Sequence, residues 1–149
     1  MDVMKKVPVR EQDPKVRATN FQEVCYGYNE EEAVAEAERC LNCKNARCVA
    51  GCPVNIDIPT FISEVKARKY EDAANTIALS SALPAVCGRV CPQESQCEGK
   101  CVRGIKGEAI SIGKLERFVA DWSREHGFVP KAAEKKNGKK VAVIGSGPS

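Results

Sequence analysis

Hydrophobic side chains recur at helical spacing in three stretches of the chain. The stretches are 58–65, about 70–81 and about 110–126, and each places its apolar residues on one face. The three faces consist of Ile58, Phe61, Ile62 and Val65; Tyr70, Ala73, Ala74, Ile77 and Ala78; and Ile112, Leu115, Val119 and Trp122, widened by Phe118. The pattern therefore predicts three amphipathic helices, and Leu83–Pro84 is expected to end the second of them.

A fourth helix is predicted upstream of these three from its start signal and its composition. Asn29 and Glu32 have the spacing of a capping box, and the segment EEEAVAEAERCLNC is rich in strong helix formers. Cys40 lies on the same face as Ala33 and Ala37, so this helix is expected to deliver Cys40 from its last turn. The next helix is predicted to be capped by Asp57, with a proline in its first turn.

The rest of the chain lacks a helical pattern. Residues 1–28 indicate an extended arm, residues 44–56 and 87–104 two loops, and residues 128–139 a linker. The last residues, VAVIGSGPS, have a buried-strand pattern that runs into Gly145 and Gly147; no other strand is predicted. The prediction is an all-α domain over 29–127, followed at 140–149 by a short strand and a glycine turn.

Composition and charge exclude several classes of function. The net charge of +3 gives no case for nucleic-acid binding, and the five lysines within 131–140 indicate a solvated linker. No apolar run approaches the roughly 20 residues of a membrane span, and no hydrophobic segment follows the basic N-terminus as in a secretory signal. We therefore expect a cytoplasmic protein, in which nine cysteines favour metal over disulfides.

Eight of the nine cysteines form two dense runs. The first is C-x2-C-x4-C-x3-C-P over residues 40–53, and the second is C-x3-C-P-x4-C-x3-C over residues 87–101. Thiolates suit iron–sulfur clusters, zinc or copper(I), and a quartet that ends in Cys-Pro is typical of bacterial iron–sulfur proteins. The spacing therefore favours two [4Fe–4S] clusters, although a structural zinc site uses similar C-x2-C pairs and stays an alternative.

The distribution of the thiols between two clusters is open from spacing alone. Four cysteines in each run would be enough to give each run its own cluster. In bacterial proteins with the same Cys-Pro ending, however, the fourth cysteine binds the other cluster, so Cys52 would bind a different cluster from the first three cysteines of its run. Such crossing would tie the two loops together through metal.

The motifs RCLNC, CPVNIDIPTFI, LPAVCGRVCPQESQCEGKC and ISIGKLERFVAD carry a resemblance to a known family. Residues from about 20 to 121 resemble the N-terminal iron–sulfur domain of the glutamate synthase small subunit group. That group includes the large subunit of NADH-dependent ferredoxin:NADP oxidoreductase, and dihydropyrimidine dehydrogenase has a related domain. The resemblance implies an α-helical ferredoxin-type domain with two [4Fe–4S] clusters.

The resemblance also implies a ligand set for each cluster. One cluster would take Cys40, Cys43, Cys48 and Cys101, and the other would take Cys52, Cys91, Cys97 and Glu116. Glu116 falls where the dihydropyrimidine dehydrogenases have glutamine. It borders the apolar face of its helix, so a salt bridge to Arg89, Arg103 or Arg117 is the alternative. The remaining Cys25 and Cys87 are expected to be buried small hydrophobes.

The C-terminal residues VAVIGSGPS resemble the strand and glycine turn that open the flavin-binding domain of the same family. Gly145 and Gly147 would approach the FAD pyrophosphate in a full-length protein. The third glycine and the helix of that motif are absent, so these 149 residues are not expected to bind a dinucleotide by themselves. The expectation is a fragment of a longer flavoprotein.

The function implied by the resemblance is electron transfer. The parent would be a glutamate synthase (NADPH) small subunit that uses FAD and NADP(H), with NADH-dependent ferredoxin:NADP oxidoreductase as an alternative. The fragment would be an electron carrier and not itself catalytic. Its partners would be the rest of its own chain and a larger catalytic subunit or a ferredoxin-coupling protein, in an oligomer when full length. The alternative from another class is a zinc-binding helical interaction module without redox activity.

Overall fold

The computed structural model describes residues 2–131, 134–135 and 137–145. Within them the fold is mostly helical, as predicted. The α-helices are α1 Pro14–Arg17, α2 Glu30–Glu38, α3 Arg47–Ala50, α4 Ile58–Lys66, α5 Tyr70–Ala78, α6 Pro84–Val90 and α7 Ile112–Glu125. Short 3-10 helices cover Glu98–Lys100 and Val102–Ile105. The strands β1 Arg10–Glu11 and β2 Cys25–Gly27 form a two-stranded antiparallel sheet.

The four predicted helices are present, with small shifts at their ends. The Asn29 side chain accepts a hydrogen bond from the Glu32 N–H, and the Glu32 carboxylate accepts one from the Asn29 N–H, so the capping box of α2 is confirmed. Asp57 caps α4 through the Thr60 N–H. The third predicted helix, α5, ends at Ala78 rather than near residue 81.

The N-terminal arm is less extended than predicted. Asp13 accepts a hydrogen bond from the Lys15 N–H, and Pro14 occupies the first turn of α1, so a short helix forms there. The Gln12 N–H donates to the Val24 carbonyl at 2.8 Å beside the β1–β2 pair. These elements are too short to show a hydrophobic period, which explains why the sequence pattern did not predict them.

Both predicted cysteine loops contain a short helix that was not predicted. α3 lies within 44–56, and α6 lies across the start of 87–104. Pro84 does not end the preceding helix as predicted, because α5 already ends at Ala78. Pro84 instead occupies the first turn of α6, where its missing N–H costs nothing. The loop prediction was wrong at these two places, since four to seven residues with glycine give no helical signal.

The core lies between α2, α4, α5 and α7. Phe61 and Leu115 are completely buried in it, and the Tyr70 ring packs edge-on against Phe118 with 5.2 Å between ring centroids. An ion pair between Glu36 and Arg39 is also fully buried.

The buried ion pair joins three parts of the chain. The Glu36 carboxylate accepts hydrogen bonds from the Val7 N–H at 2.7 Å and the Ser111 N–H at 2.8 Å. The Arg39 guanidinium donates to the Glu108 carbonyl at 2.6 Å. α2 therefore fixes both the N-terminal segment and the chain that leads into α7.

The predicted C-terminal strand lies partly within the described residues. Residues 140–145 show no strand hydrogen bonds, so the predicted strand is not confirmed; a strand needs a partner for its backbone groups. Gly145 has a φ of +98°, which favours glycine, and Gly147 lies outside the described residues. Among the helices that the structure describes, none has the length and apolar character to cross a bilayer.

Candidate metal centres

Four cysteines from three chain segments line one cavity, which we call the first site. Its thiols belong to Cys40, Cys43, Cys48 and Cys101. Cys40 leaves α2 directly after its C-cap, Cys48 lies in α3, and Cys101 lies between the two 3-10 helices. Isoleucine side chains from α4, α7 and the preceding chain complete the wall, so the thiols face an apolar enclosure.

The backbone of the first site turns sharply between its first two cysteines. Asn42 has a φ of +48°, a left-handed conformation that asparagine tolerates better than most residues. Burial raises the pKa of Cys40, a hydrogen bond from the Asn42 backbone opposes that rise, and the nearby Cys101 and Cys43 add to it. Burial likewise raises the pKa of Cys48 to about 11. The mutual influence of these thiols shows that they form one group.

Among the residues that the structure describes, the charged side chains that line this cavity are all cations, and none is a carboxylate. They are Arg47, Lys100 and Arg103. Sequence reasoning did not assign them to the site. A signal was present, because Arg47 and Lys100 each come immediately before a cysteine of the site. Thiolates in an apolar cavity carry negative charge, and the cations offset part of it.

A second group consists of Cys52, Cys91, Cys97 and Glu116, which we call the second site. Burial raises the pKa of Cys97 to about 12, and the charges of Glu98, Cys52 and Glu116 add to the rise. Burial also raises the pKa of Cys91 to about 11, with further contributions from Cys87, Glu116 and Cys52. Cys91 and Cys97 thus each lie near Cys52 and Glu116, the residues that the resemblance implied for the second cluster, and Cys87 lies near Cys91 as well.

Glu116 has the environment of a metal ligand. Its side chain lies on α7 and is only 7% exposed, and its Oε1 atom has no hydrogen-bond partner. Burial raises its pKa to about 7. An unpaired buried carboxylate is costly unless it coordinates a metal or takes up a proton.

The arginines named as alternative partners of Glu116 are engaged elsewhere. Arg89 donates to Asp121 at 2.8 Å and Glu23 at 3.0 Å. Arg117 pairs with the same two carboxylates, and Arg103 donates to a backbone carbonyl. Among the residues the structure describes, none of the three pairs with Glu116. The salt-bridge alternative is therefore not supported.

Close packing of α6 on α7 brings Cys91 beside Glu116. Gly88 faces the backbone of Arg117, and a Cβ atom added at Gly88 would lie 2.7 Å from the Arg117 nitrogen. A side chain at this position would therefore force the two helices apart. Gly88 sets the distance between the α6 cysteines and the α7 carboxylate.

Cys25 and Cys87 are only half-buried, so the expectation that both are buried was wrong. Cys25 lies on strand β2, with its sulfur 4.0 Å from the Lys114 ammonium nitrogen. Cys87 lies in α6, one helical turn before Cys91, and next to the second site.

Within the described ranges, no three His, Cys, Asp or Glu side chains are placed to hold a single metal ion.

Comparison with known proteins matches the part of the chain that contains both sites. The sequence model of the family described as "dihydropyrimidine dehydrogenase domain II, 4Fe-4S cluster" matches residues 17–128. This chain belongs to that family of iron–sulfur domains.

Curated relatives span two kinds of oxidoreductase subunit. The chain is 40% identical to the glutamate synthase [NADPH] small chain of Escherichia coli over 91% of this chain and 29% of the relative. It is 37% identical to the corresponding small chain of Halomonas elongata over 96% of this chain and 32% of the relative. It is also 42% identical to the E. coli NAD-dependent dihydropyrimidine dehydrogenase subunit PreT over 78% of this chain and 28% of the relative. The chain spans about three tenths of the length of these relatives.

Proposed function

We propose that this chain holds two [4Fe–4S] clusters and serves as an electron-transfer domain of a larger oxidoreductase. The first site would hold one cluster with four thiolates, and the second site would hold the other with three thiolates and Glu116. When bound, such clusters supply one-electron redox centres. The observation that carries the proposal is the buried Glu116 Oε1 atom, which has no hydrogen-bond partner among the described residues and belongs to a side chain near Cys91 and Cys97.

Two short segments connect the proposed sites. Cys48 lines the first site and Cys52, four residues later, belongs to the second; Cys97 belongs to the second and Cys101 to the first. Each segment therefore contributes one ligand to each site, which fixes the sites as neighbours. Neighbouring redox centres provide an electron path, whereas a single structural metal needs no such neighbour.

The protein's own contribution is position, shielding and charge. Apolar side chains such as Ile58, Ile62 and Ile112 wall the first site and exclude water from the thiolates. The cations around that site offset the charge of its four thiolates. At the second site a carboxylate replaces one thiolate as a harder ligand.

For the parent protein we propose a glutamate synthase (NADPH) small subunit. The supporting observation is the likeness to two glutamate synthase small chains over more than nine tenths of this chain. Residues 140–149 would then begin an FAD-binding domain, with Gly145 and Gly147 in its pyrophosphate turn. In that parent the sites of this chain would connect FAD, reduced by NADPH, with the active site of a larger subunit. A dihydropyrimidine dehydrogenase subunit is the second candidate, supported by the likeness to PreT.

Anaerobic metal analysis tests the proposal. Chain prepared and reconstituted without oxygen is expected to hold about eight iron atoms in a brown protein that dithionite bleaches. A colourless protein that instead binds stoichiometric zinc under the same conditions would support the zinc-module alternative. A preparation that holds neither metal would contradict both.

A further inference from the structure

An apolar groove lies on the surface outside the first site. Its apolar lining is Met4, Leu41, Val102 and Ile105. Leu41 is 53% exposed and Ile105 is 70% exposed, so much of this apolar surface faces solvent. Exposed apolar surface that is grouped in this way marks an interaction site more often than scattered single residues do.

The groove shares a wall with the cavity that the thiols line. Leu41, Val102 and Arg103 line both the groove and the cavity. One layer of side chains therefore separates the surface of the groove from the first site. The rate of electron transfer falls steeply with distance, so a redox centre in a protein seated here would be well placed to exchange electrons with that site.

The charged residues that line the groove have a single sign. Arg103 and Lys106 line the groove, and Arg47 and Lys100 line the adjoining cavity. Among the residues that the structure describes, no carboxylate lines either, although the Asp2 carboxylate lies next to the groove and accepts a hydrogen bond from the Met4 N–H. Within the part of the chain that the structure describes, Arg47, Lys100 and Lys106 form no ion pair. An apolar centre with a cationic border complements a partner with an apolar centre and an acidic border.

We propose that this groove is the docking surface for an acidic redox protein, which exchanges one electron with the first site. The proposal rests on the proposed cluster-bearing function. One electron moves from the reduced member of the pair to the oxidised member, and no bond or proton is transferred. A second copy of this chain fits poorly, because two cationic grooves would repel each other.

Binding of an acidic [2Fe–2S] ferredoxin, used as the probe, tests the proposal. The dissociation constant is measured by calorimetry with the anaerobically reconstituted chain at about 10 mM and about 150 mM salt, where the Debye length is about 30 Å and about 8 Å. The expected result is binding that weakens with salt, and a further loss of about tenfold or more in the double variant Ile105→Glu, Lys106→Glu.

A matched control changes the same kinds of residue on another surface. Leu79 is 88% exposed and Lys66 is exposed, and neither lines the groove or the cavity. The double variant Leu79→Glu, Lys66→Glu alters the net charge equally and is expected to bind like the unchanged chain. Equal weakening in both variants, or no binding at low salt, would overturn the proposal.

Two further measurements separate the remaining outcomes. Iron analysis of each sample tests the proposed function independently. If the groove variant holds full iron and binds the ferredoxin like the unchanged chain, only the docking proposal is wrong. If no sample holds iron, the proposed function itself is wrong. If a longer parent polypeptide fails to bind the ferredoxin that these 149 residues bind alone, the rest of the parent covers the groove and the docking proposal is wrong.

Discussion

At the scale of single residues, Glu116 is the side chain whose protonation state depends most on whether a metal occupies its site. Its burial raises its pKa to about 7, and no cation in the described residues approaches its free oxygen. A coordinated metal would supply the missing partner and keep the carboxylate ionised. The same burial would make loss of the carboxylate tolerable for folding, since a buried charge without a partner contributes no stability.

The variant Glu116→Ala is expected to lower bound iron from about eight to about four atoms per chain, because only the second site loses a ligand. Iron and acid-labile sulfide are measured after anaerobic reconstitution. Glu125→Ala is the matched control, since Glu125 lies on the same helix and is exposed. Unchanged iron and unchanged spectra in Glu116→Ala would rule out this residue as a ligand.

Cys87 and Cys91 provide a sharper test, because Cys91 is the C-cap residue of α6 and Cys87 lies one turn before it in that helix. Cys91→Ala is expected to lose the iron of the second site, whereas Cys87→Ala is expected to keep all of it. Cys25→Ala, on strand β2, should also retain full iron. The readout is again iron per chain, with visible spectra to identify cluster type. Iron loss in Cys87→Ala would show that the ligand assignment at the second site is mistaken.

The thiols could be assigned to metal from the sequence because their spacing is dense and ends in Cys-Pro. Glu116 could not be assigned in this way: a carboxylate at the border of an apolar helix face resembles an ordinary salt-bridge residue. Only the structure shows that Arg89 and Arg117 are engaged with other carboxylates. Such three-dimensional competition between charges leaves no trace in spacing.

At the scale of secondary-structure elements, the contact between α6 and α7 controls the second site. Gly88→Ala would place a Cβ atom 2.9 Å from the Arg117 Cα atom, so the helices must separate. We expect this variant to lose iron selectively from the second site. A spectroscopic signal from one remaining [4Fe–4S] cluster would confirm it. Full occupancy of both sites would show that the helices can shift without moving Cys91 away from Glu116.

The Glu36–Arg39 pair is the connection that holds α2 to the N-terminal segment and to the start of α7. Arg39→Met leaves the Glu36 carboxylate buried without its cation, and we expect a loss of about 3–5 kcal/mol in the free energy of unfolding. Urea unfolding followed by circular dichroism measures this. The double variant Glu36→Gln, Arg39→Met keeps an acceptor for the Val7 and Ser111 N–H groups without the buried charge, and it should be more stable than Arg39→Met alone. Equal stability of the two variants would contradict the assigned cost of an unpaired buried charge.

The elements that could be predicted are those whose own residues determine them. α4 has a full apolar face together with the Asp57 cap, and α2 has its capping box. α3 and α6 were missed because they are short and because the packing that sustains them comes from distant residues. Gly88 within α6 is unfavourable for a helix by itself, and only its close approach to α7 explains its presence.

At the scale of the whole molecule, the two proposed sites differ in charge. Each would have four anionic ligands, but the first is bordered by the cations Arg47, Lys100 and Arg103, whereas the second lies beside the carboxylate of Glu98. Positive surroundings stabilise the more negative, reduced form of a cluster. This charge difference gives the proposed electron path a direction.

We therefore expect the first site to be reduced at a higher potential than the second. Redox titration followed by electron paramagnetic resonance measures both potentials. Lys100→Gln should lower the potential of the first site and leave the second nearly unchanged, whereas the distant Lys66→Gln should change neither. If the two sites titrate together, or in the reverse order, charge does not set their sequence.

The turn from Cys48 to Cys52 also fixes the spacing between one ligand of each proposed site. Inserting one alanine after Val49 would rotate everything beyond it by about 100° around the helix axis. Either Cys48 or Cys52 would then point away from its site. We therefore expect an insertion in the linker at 128–139 to leave both sites intact, whereas an insertion in this single turn should disrupt one of them.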